Sequence, residues 1–141
     1  MTPDPTEFAR ALVAGMPDAI VYAGRDGLIG VWNAGAERMF GYTGQEALGQ
    51  SLDIITPPNL QARHWAGYHE TMRTGKTRYG DGQTLAVPAV RKDGTRLSVE
   101  FTIVPFTAPD GSMIGIAAIM RDITARFEEL RALRKQVAAA G

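Results

Sequence analysis

An α+β fold, an antiparallel sheet with helices gathered on one face, is predicted by three features of the residue pattern. Two β-prone runs come first, a group of helical segments follows, and three more β-prone runs come after them. Elements that are grouped rather than alternating argue for this class. Leu97, Val99, Phe101 and Ile103 alternate with Ser98, Glu100 and Thr102, the period-2 pattern of a half-buried strand. Asp26-Gly27, Asp93-Gly94 and Asp110-Gly111 supply turn chemistry between the β-prone runs.

In order, Thr6–Met16 reads as a short amphipathic helix with Phe8, Leu12 and Val13 on one side, stopped by Pro17. Ala19–Ala23 and Leu28–Trp32 are strands joined through the Asp26-Gly27 turn. Asn33 is placed to cap a helix running to Phe40 and ended by Gly41. Thr43 and Glu46 have capping-box spacing for another short helix, and Ser51–Ile55 holds one further turn. The stretch from Pro57 to Gly75 starts at a double proline and stops at glycine, as a helix does. Within 77–90, Gly80, Gly82 and Pro88 weaken an otherwise β-prone segment; Leu97–Ile103 and Ile114–Met120 complete five strands. Ile123–Ala139 is helical, with Ile123, Phe127, Leu130, Leu133 and Val137 forming a short heptad seam flanked by charges. Two heptads do not hold a coiled coil alone, so the seam requires a partner, within the chain or from a second copy. The expected organisation is an N-terminal flanking helix over 1–16, a central domain over 17–122 and a C-terminal helix over 123–141.

Composition excludes several classes. Hydrophobic residues at 45% and charged residues at 21% fit a globular chain and not a disordered one. Fifteen basic residues balance fifteen acidic ones, so nothing draws the chain toward nucleic acid or an anionic membrane. The sequence has no apolar run long enough to span a bilayer, and its first residues do not resemble a signal peptide. A cytoplasmic location is the resulting expectation. With no cysteine, disulfides, thiolate metal sites, thiol nucleophiles and thiol-linked chromophores are all excluded. Neither a Ser–His–Asp arrangement, nor paired carboxylates, nor a phosphate loop stands out, and the turn aspartates have conformational work, so the chain is not expected to be an enzyme.

Both histidines, His64 and His69, lie in the segment between Pro57 and Gly75. At about 100° per residue, Leu60, Trp65, Tyr68 and Met72 share one broad arc that contains His64, with His69 at its edge. An imidazole on such a face is either a satisfied core residue, bonded to a backbone carbonyl, or a ligand to something bound there. Trp65 and His69 read as surface or dimer contacts.

Three phrases together resemble the PAS family of sensory domains. They are Trp32-Asn33-Ala34-Gly35-Ala36-Glu37-Arg38-Met39-Phe40-Gly41-Tyr42, then Arg91-Lys92-Asp93-Gly94, then Met120-Arg121-Asp122-Ile123-Thr124. The resemblance spans about 17–124 and implies the PAS fold, a five-stranded antiparallel sheet, with a ligand pocket beside the central helix. It also implies that Asp122-Ile123-Thr124 opens a signal-transmitting helix. Leu60-Gln61-Ala62-Arg63-His64, with Tyr68 and Thr74-Gly75, is further similar to the haem-binding PAS oxygen sensors of the FixL and direct-oxygen-sensor type.

That similarity implies b-type haem with His64 as the proximal iron ligand, Phe101 and Ile103 on the opposite wall, Leu60 and Tyr68 lining the slot, and Arg78 facing a propionate. The oxygen-binding arginine of those sensors falls on Thr84 or Leu85, depending on which motif sets the count. The methionine that closes the iron in some relatives falls near Gly82 or Gln83, and a helix arginine used for a propionate is replaced by Glu70. An apolar, uncharged distal side, including Leu85, implies carbon monoxide, nitric oxide or a redox change as the signal. The implied partners are a second copy, bound through the flanking helices, and a separate output protein such as a histidine kinase. The alternative is a binding or dimerisation module of the same fold that holds an organic molecule, a non-covalent flavin or nothing.

Overall fold

Strands β1 (Ala19–Gly24), β2 (Ile29–Trp32), β3 (Leu85–Val90), β4 (Arg96–Thr107) and β5 (Met113–Asp122) form one sheet in the computed structural model, which describes residues 1–76 and 85–140. Their order is β2-β1-β5-β4-β3, and every neighbouring pair is antiparallel. The three aspartates do the turn work expected of them. Asp26 accepts from the Leu28 amide at 3.0 Å, Asp93 from the Thr95 amide at 2.9 Å, and Asp110 from the Ser112 amide at 2.9 Å. Pro88 lies inside β3, which is tolerated because β3 is an edge strand with one side free of ladder bonds. The first and last strands lie side by side, with Ala19 opposite Met120, and Asp18 pairs with Arg121 at 3.0 Å beside them.

Helix α1 (Pro5–Gly15) is capped by Asp4, and α2 (Ala34–Phe40) by Asn33. The brief α3 (Gly44–Ala47) carries the full Thr43–Glu46 capping box. The segment after Pro57 differs from the single helix expected: Pro58–Leu60 is a 3₁₀ turn, and α4 proper runs over Gln61–Thr74. Pro57 and Pro58 have no amide to donate, so the chain closes the tighter turn first, through the Leu60 amide on the Pro57 carbonyl at 2.9 Å. Gly75 ends α4 at φ 72°, a left-handed conformation glycine adopts without steric cost.

The core fills one face of the sheet. Ala19, Val21, Trp32, Leu97, Val99 and Met120 pack against Ala36, Phe40, Ala47 and Ile55 from the helices, with Phe40 fully buried. A second cluster, Ala23, Tyr68, Met72 and Met113, lies under α4. Met113 reaches it because β5 carries an extra residue, Ile114, between the Phe106–Gly115 and Thr107–Met113 pairs. One extra residue reverses the face, so Met113 is buried while Ile114 is exposed. Helix α5 (Thr124–Ala140) has no buried residue, and Phe127, Leu130, Leu133 and Val137 of its seam are exposed.

Candidate functional site around His64

Tyr68 sets the rotation of α4. Its buried hydroxyl donates to the carbonyls of Ala23 at 3.1 Å and Gly24 at 2.6 Å. Burial, with Tyr22 and Asp26 nearby, pushes its pKa up to about 12, so the phenol stays a donor. His64 lies one turn earlier on the same face, half-buried, with its ring centroid 5.8 Å from Tyr68 and 4.8 Å from Trp65. Its Nδ1 is buried and has no hydrogen-bond partner. Burial holds its pKa below the ordinary 6.5; Asp53 nearby opposes that shift and His69 adds to it. The imidazole is therefore neutral at pH 7 and has a nitrogen that the protein leaves unanswered.

A pH dependence follows. The unfolded chain takes up this proton at a higher pH than the folded one, so stability falls as pH drops below about 6.5. Thermal melts at about pH 7.5 and 5.5 are expected to show a smaller acid loss in His64→Phe than in wild type. Equal losses in both proteins would contradict the assignment.

Trp65, for which a surface or dimer contact is expected, also makes contacts within the chain. It is half-buried, and its Nε1 donates to Asp53 Oδ1 at 2.7 Å. Its six-membered ring presses on the Asp26-Gly27 turn so closely that a Cβ at Gly27 would lie 2.2 Å from it. His69 is exposed, as expected, and stacks on Trp65 at 5.9 Å. The helical arc that marked His64 also contained Trp65, and this was the available signal.

The other candidates lie on separate elements of the fold. Leu60, half-buried, closes the 3₁₀ turn that leads into α4. Phe101 and Ile103 are half-buried on β4, opposite Met120 and Ala118 of β5, and Phe101 packs against the main core. Leu85 begins β3 opposite Phe101. Arg78, Gly82, Gln83 and Thr84 lie outside the described residues. Leu52, which sequence reasoning did not single out, packs against both the main core and the α4 cluster and so joins the two sides. Among the described residues, no group of three or more His, Cys, Asp or Glu gathers to hold a metal ion.

A sequence profile described as the PAS fold matches residues 13–128. The chain belongs to the PAS family. Sensor protein FixL of Bradyrhizobium diazoefficiens is 29% identical over 128 residues, which cover 86% of this PAS chain and 25% of that protein. Oxygen sensor protein DosP of Escherichia coli K12 is 24% identical over 132 residues, covering 94% of this chain and 16% of DosP. The chain thus spans a quarter or less of the length of these two relatives. A solved PAS domain from Colwellia psychrerythraea superposes with a TM-score of 0.75 at 25% identity, covering 86% of this chain and 99% of that one. No helix among the described residues is long and apolar enough to cross a membrane.

At the end of the PAS sheet, Asp122 is the joint between β5 and α5. Its Oδ1 accepts from the Thr124 amide at 2.9 Å, and its Oδ2 pairs with Arg91 at 3.0 Å. Thr124 Oγ1 accepts from the Ser98 amide at 2.9 Å, and the Ile123 amide donates to the Ser98 carbonyl at 2.9 Å. Arg91 also donates to the Met39 carbonyl at the end of α2, at 3.1 Å. The first turn of α5 is therefore bonded to β4 three residues from Phe101.

Proposed function

We propose that this PAS chain is a sensory domain that binds b-type haem through His64 and passes a change at the iron to α5. The observation that carries the reading is the buried, unpartnered Nδ1 on a neutral imidazole. A buried polar atom without a partner from the protein suits a bound ligand. Among the described residues no group of three or more His, Cys, Asp or Glu gathers, which suits a metal that arrives with most of its coordination already made, as haem iron does. The similarity to haem-binding oxygen sensors and the relation to a protein named as an oxygen sensor support the same reading.

In this reading His64 would hold the iron, and Leu60, Tyr68, Leu85, Phe101 and Ile103 would supply apolar walls that exclude water. Arg78 is assigned to a propionate. Haem supplies an iron that binds a diatomic gas or changes oxidation state. Neither Thr84 nor Leu85 can donate as arginine does, so the signal is carbon monoxide, nitric oxide or redox state rather than tightly held oxygen. A displacement of Phe101 and Ile103 runs along β4 to Ser98 and Glu100. Ser98 holds the start of α5 by two backbone-directed bonds, and Glu100 pairs with Arg126 at 2.9 Å. Association of two copies through the flanking helices, and a separate histidine kinase as output, complete the proposal; the exposed seam of α5 motivates the first.

Purified protein mixed with haem is expected to show a Soret band that shifts on reduction and again with carbon monoxide. No band would overturn the haem reading. A hydrogen-bond donor on a small organic molecule or a non-covalent flavin would also satisfy Nδ1, and native mass spectrometry separates these from haem.

A further inference from the structure

A metal-ligating histidine ordinarily has its ring orientation fixed by its second nitrogen, which donates to a carboxylate or a carbonyl. Among the described residues His64 makes no such bond, and its Nδ1 is buried and unpartnered. The nearby carboxylate, Asp53, is engaged instead by the Trp65 indole N–H at 2.7 Å. Asp53 is itself held at the start of its 3₁₀ turn, where its amide donates to Ser51 Oγ at 3.0 Å. Against this fixed indole the His64 ring packs edge to face, with centroids 4.8 Å apart and planes at 69°. Tyr68, tethered by two carbonyls, closes another side at 5.8 Å and 39°. The indole has little freedom to yield, since the Gly27 turn blocks it on one side and the His69 ring stacks on it at 5.9 Å.

We propose that Asp53 and Trp65 are positioning residues for His64: the carboxylate fixes the indole, and the indole fixes the plane of the imidazole. Packing replaces the missing hydrogen bond and leaves Nδ1 without a partner from the protein. The inference rests on His64 being the ligand residue of the proposed site, yet its test uses ligand-free protein, so it is judged separately from the Soret experiment.

The test follows the His64 ring signals in proton–nitrogen correlation spectra of the isotope-labelled chain. Wild type is expected to give one narrow set, displaced by the indole ring current. In Trp65→Leu that displacement is lost. In Asp53→Ala the His64 signals broaden or move although Asp53 makes no hydrogen bond to His64. Asp53→Asn keeps an acceptor oxygen for the indole N–H and is expected to restore the wild-type positions. Trp65→Phe, a milder change that keeps a ring but has no indole N–H, is expected to move the His64 signals while the remaining spectrum stays dispersed. A mere pinning of α4 to the preceding turn would not make the His64 signals follow the acceptor at position 53. His64 signals unchanged in Asp53→Ala and in Trp65→Phe would overturn the proposal, whether or not haem binds.

Discussion

His64→Gly is expected to abolish the Soret band formed with added haem, and free imidazole is expected to restore it. The substitution removes the one nitrogen assigned to the iron and leaves a gap of the ring's shape beside Trp65 and Tyr68. Changes to groups that only support a metal ligand lower affinity about 10–100-fold. Loss of the ligand itself is therefore expected to exceed about 100-fold, read as haem retained after desalting. The ligand-free protein tells the complementary part. Since Nδ1 is buried without a partner, His64→Ala removes an uncompensated polar atom and is expected to melt no lower than wild type. A band that survives His64→Gly unchanged would remove the residue from the site.

Asn33→Ala is expected to be the costliest single change away from the pocket, about 2–4 kcal/mol, or roughly 10 °C in melting temperature. Asn33 is 5% exposed and ties three elements together. Its Oδ1 accepts from the Ile20 amide at 2.8 Å and the Ala36 amide at 3.0 Å. Its Nδ2 donates to the carbonyls of Val13 at 2.8 Å and Asp18 at 3.0 Å, with Met16 at 3.5 Å. Alanine leaves both amides and the carbonyls without partners where water is scarce. Asn33→Asp keeps the acceptor but turns an anion toward the carbonyls, so it is expected to destabilise increasingly as pH rises through the carboxylate range. Denaturation of both variants checks this; a cost under about 1 kcal/mol for Asn33→Ala would show that water replaces the amide.

Those contacts mark the limit of what the sequence could reveal. Asn33 was legible as a helix cap because capping is local: an oxygen and an amide three residues apart. Its Nδ2 bonds to Val13 and Asp18 depend on where α1 and β1 come to rest, which no local pattern encodes. The strands, their Asp-Gly turns and the alternation of Leu97 to Ile103 were readable for the same local reason. The bulge at Ile114 was hidden, since it exists only relative to β4. At the site, the 100° arc gave the correct face of α4, but it could not show that Trp65 would meet Gly27 and Asp53 from distant segments. The unanswered Nδ1 was the least legible of all, because it is a statement about every neighbour at once.

The pairing of Ala19 with Met120 has a mechanical consequence. Polypeptide enters and leaves the sheet on adjoining strands, about 5 Å apart. The body thus hangs like a bead from a doubled thread, rather than sitting in line as a link. A twist delivered to either lead is felt at once by the other across Asp18 and Arg121, without crossing the breadth of the molecule.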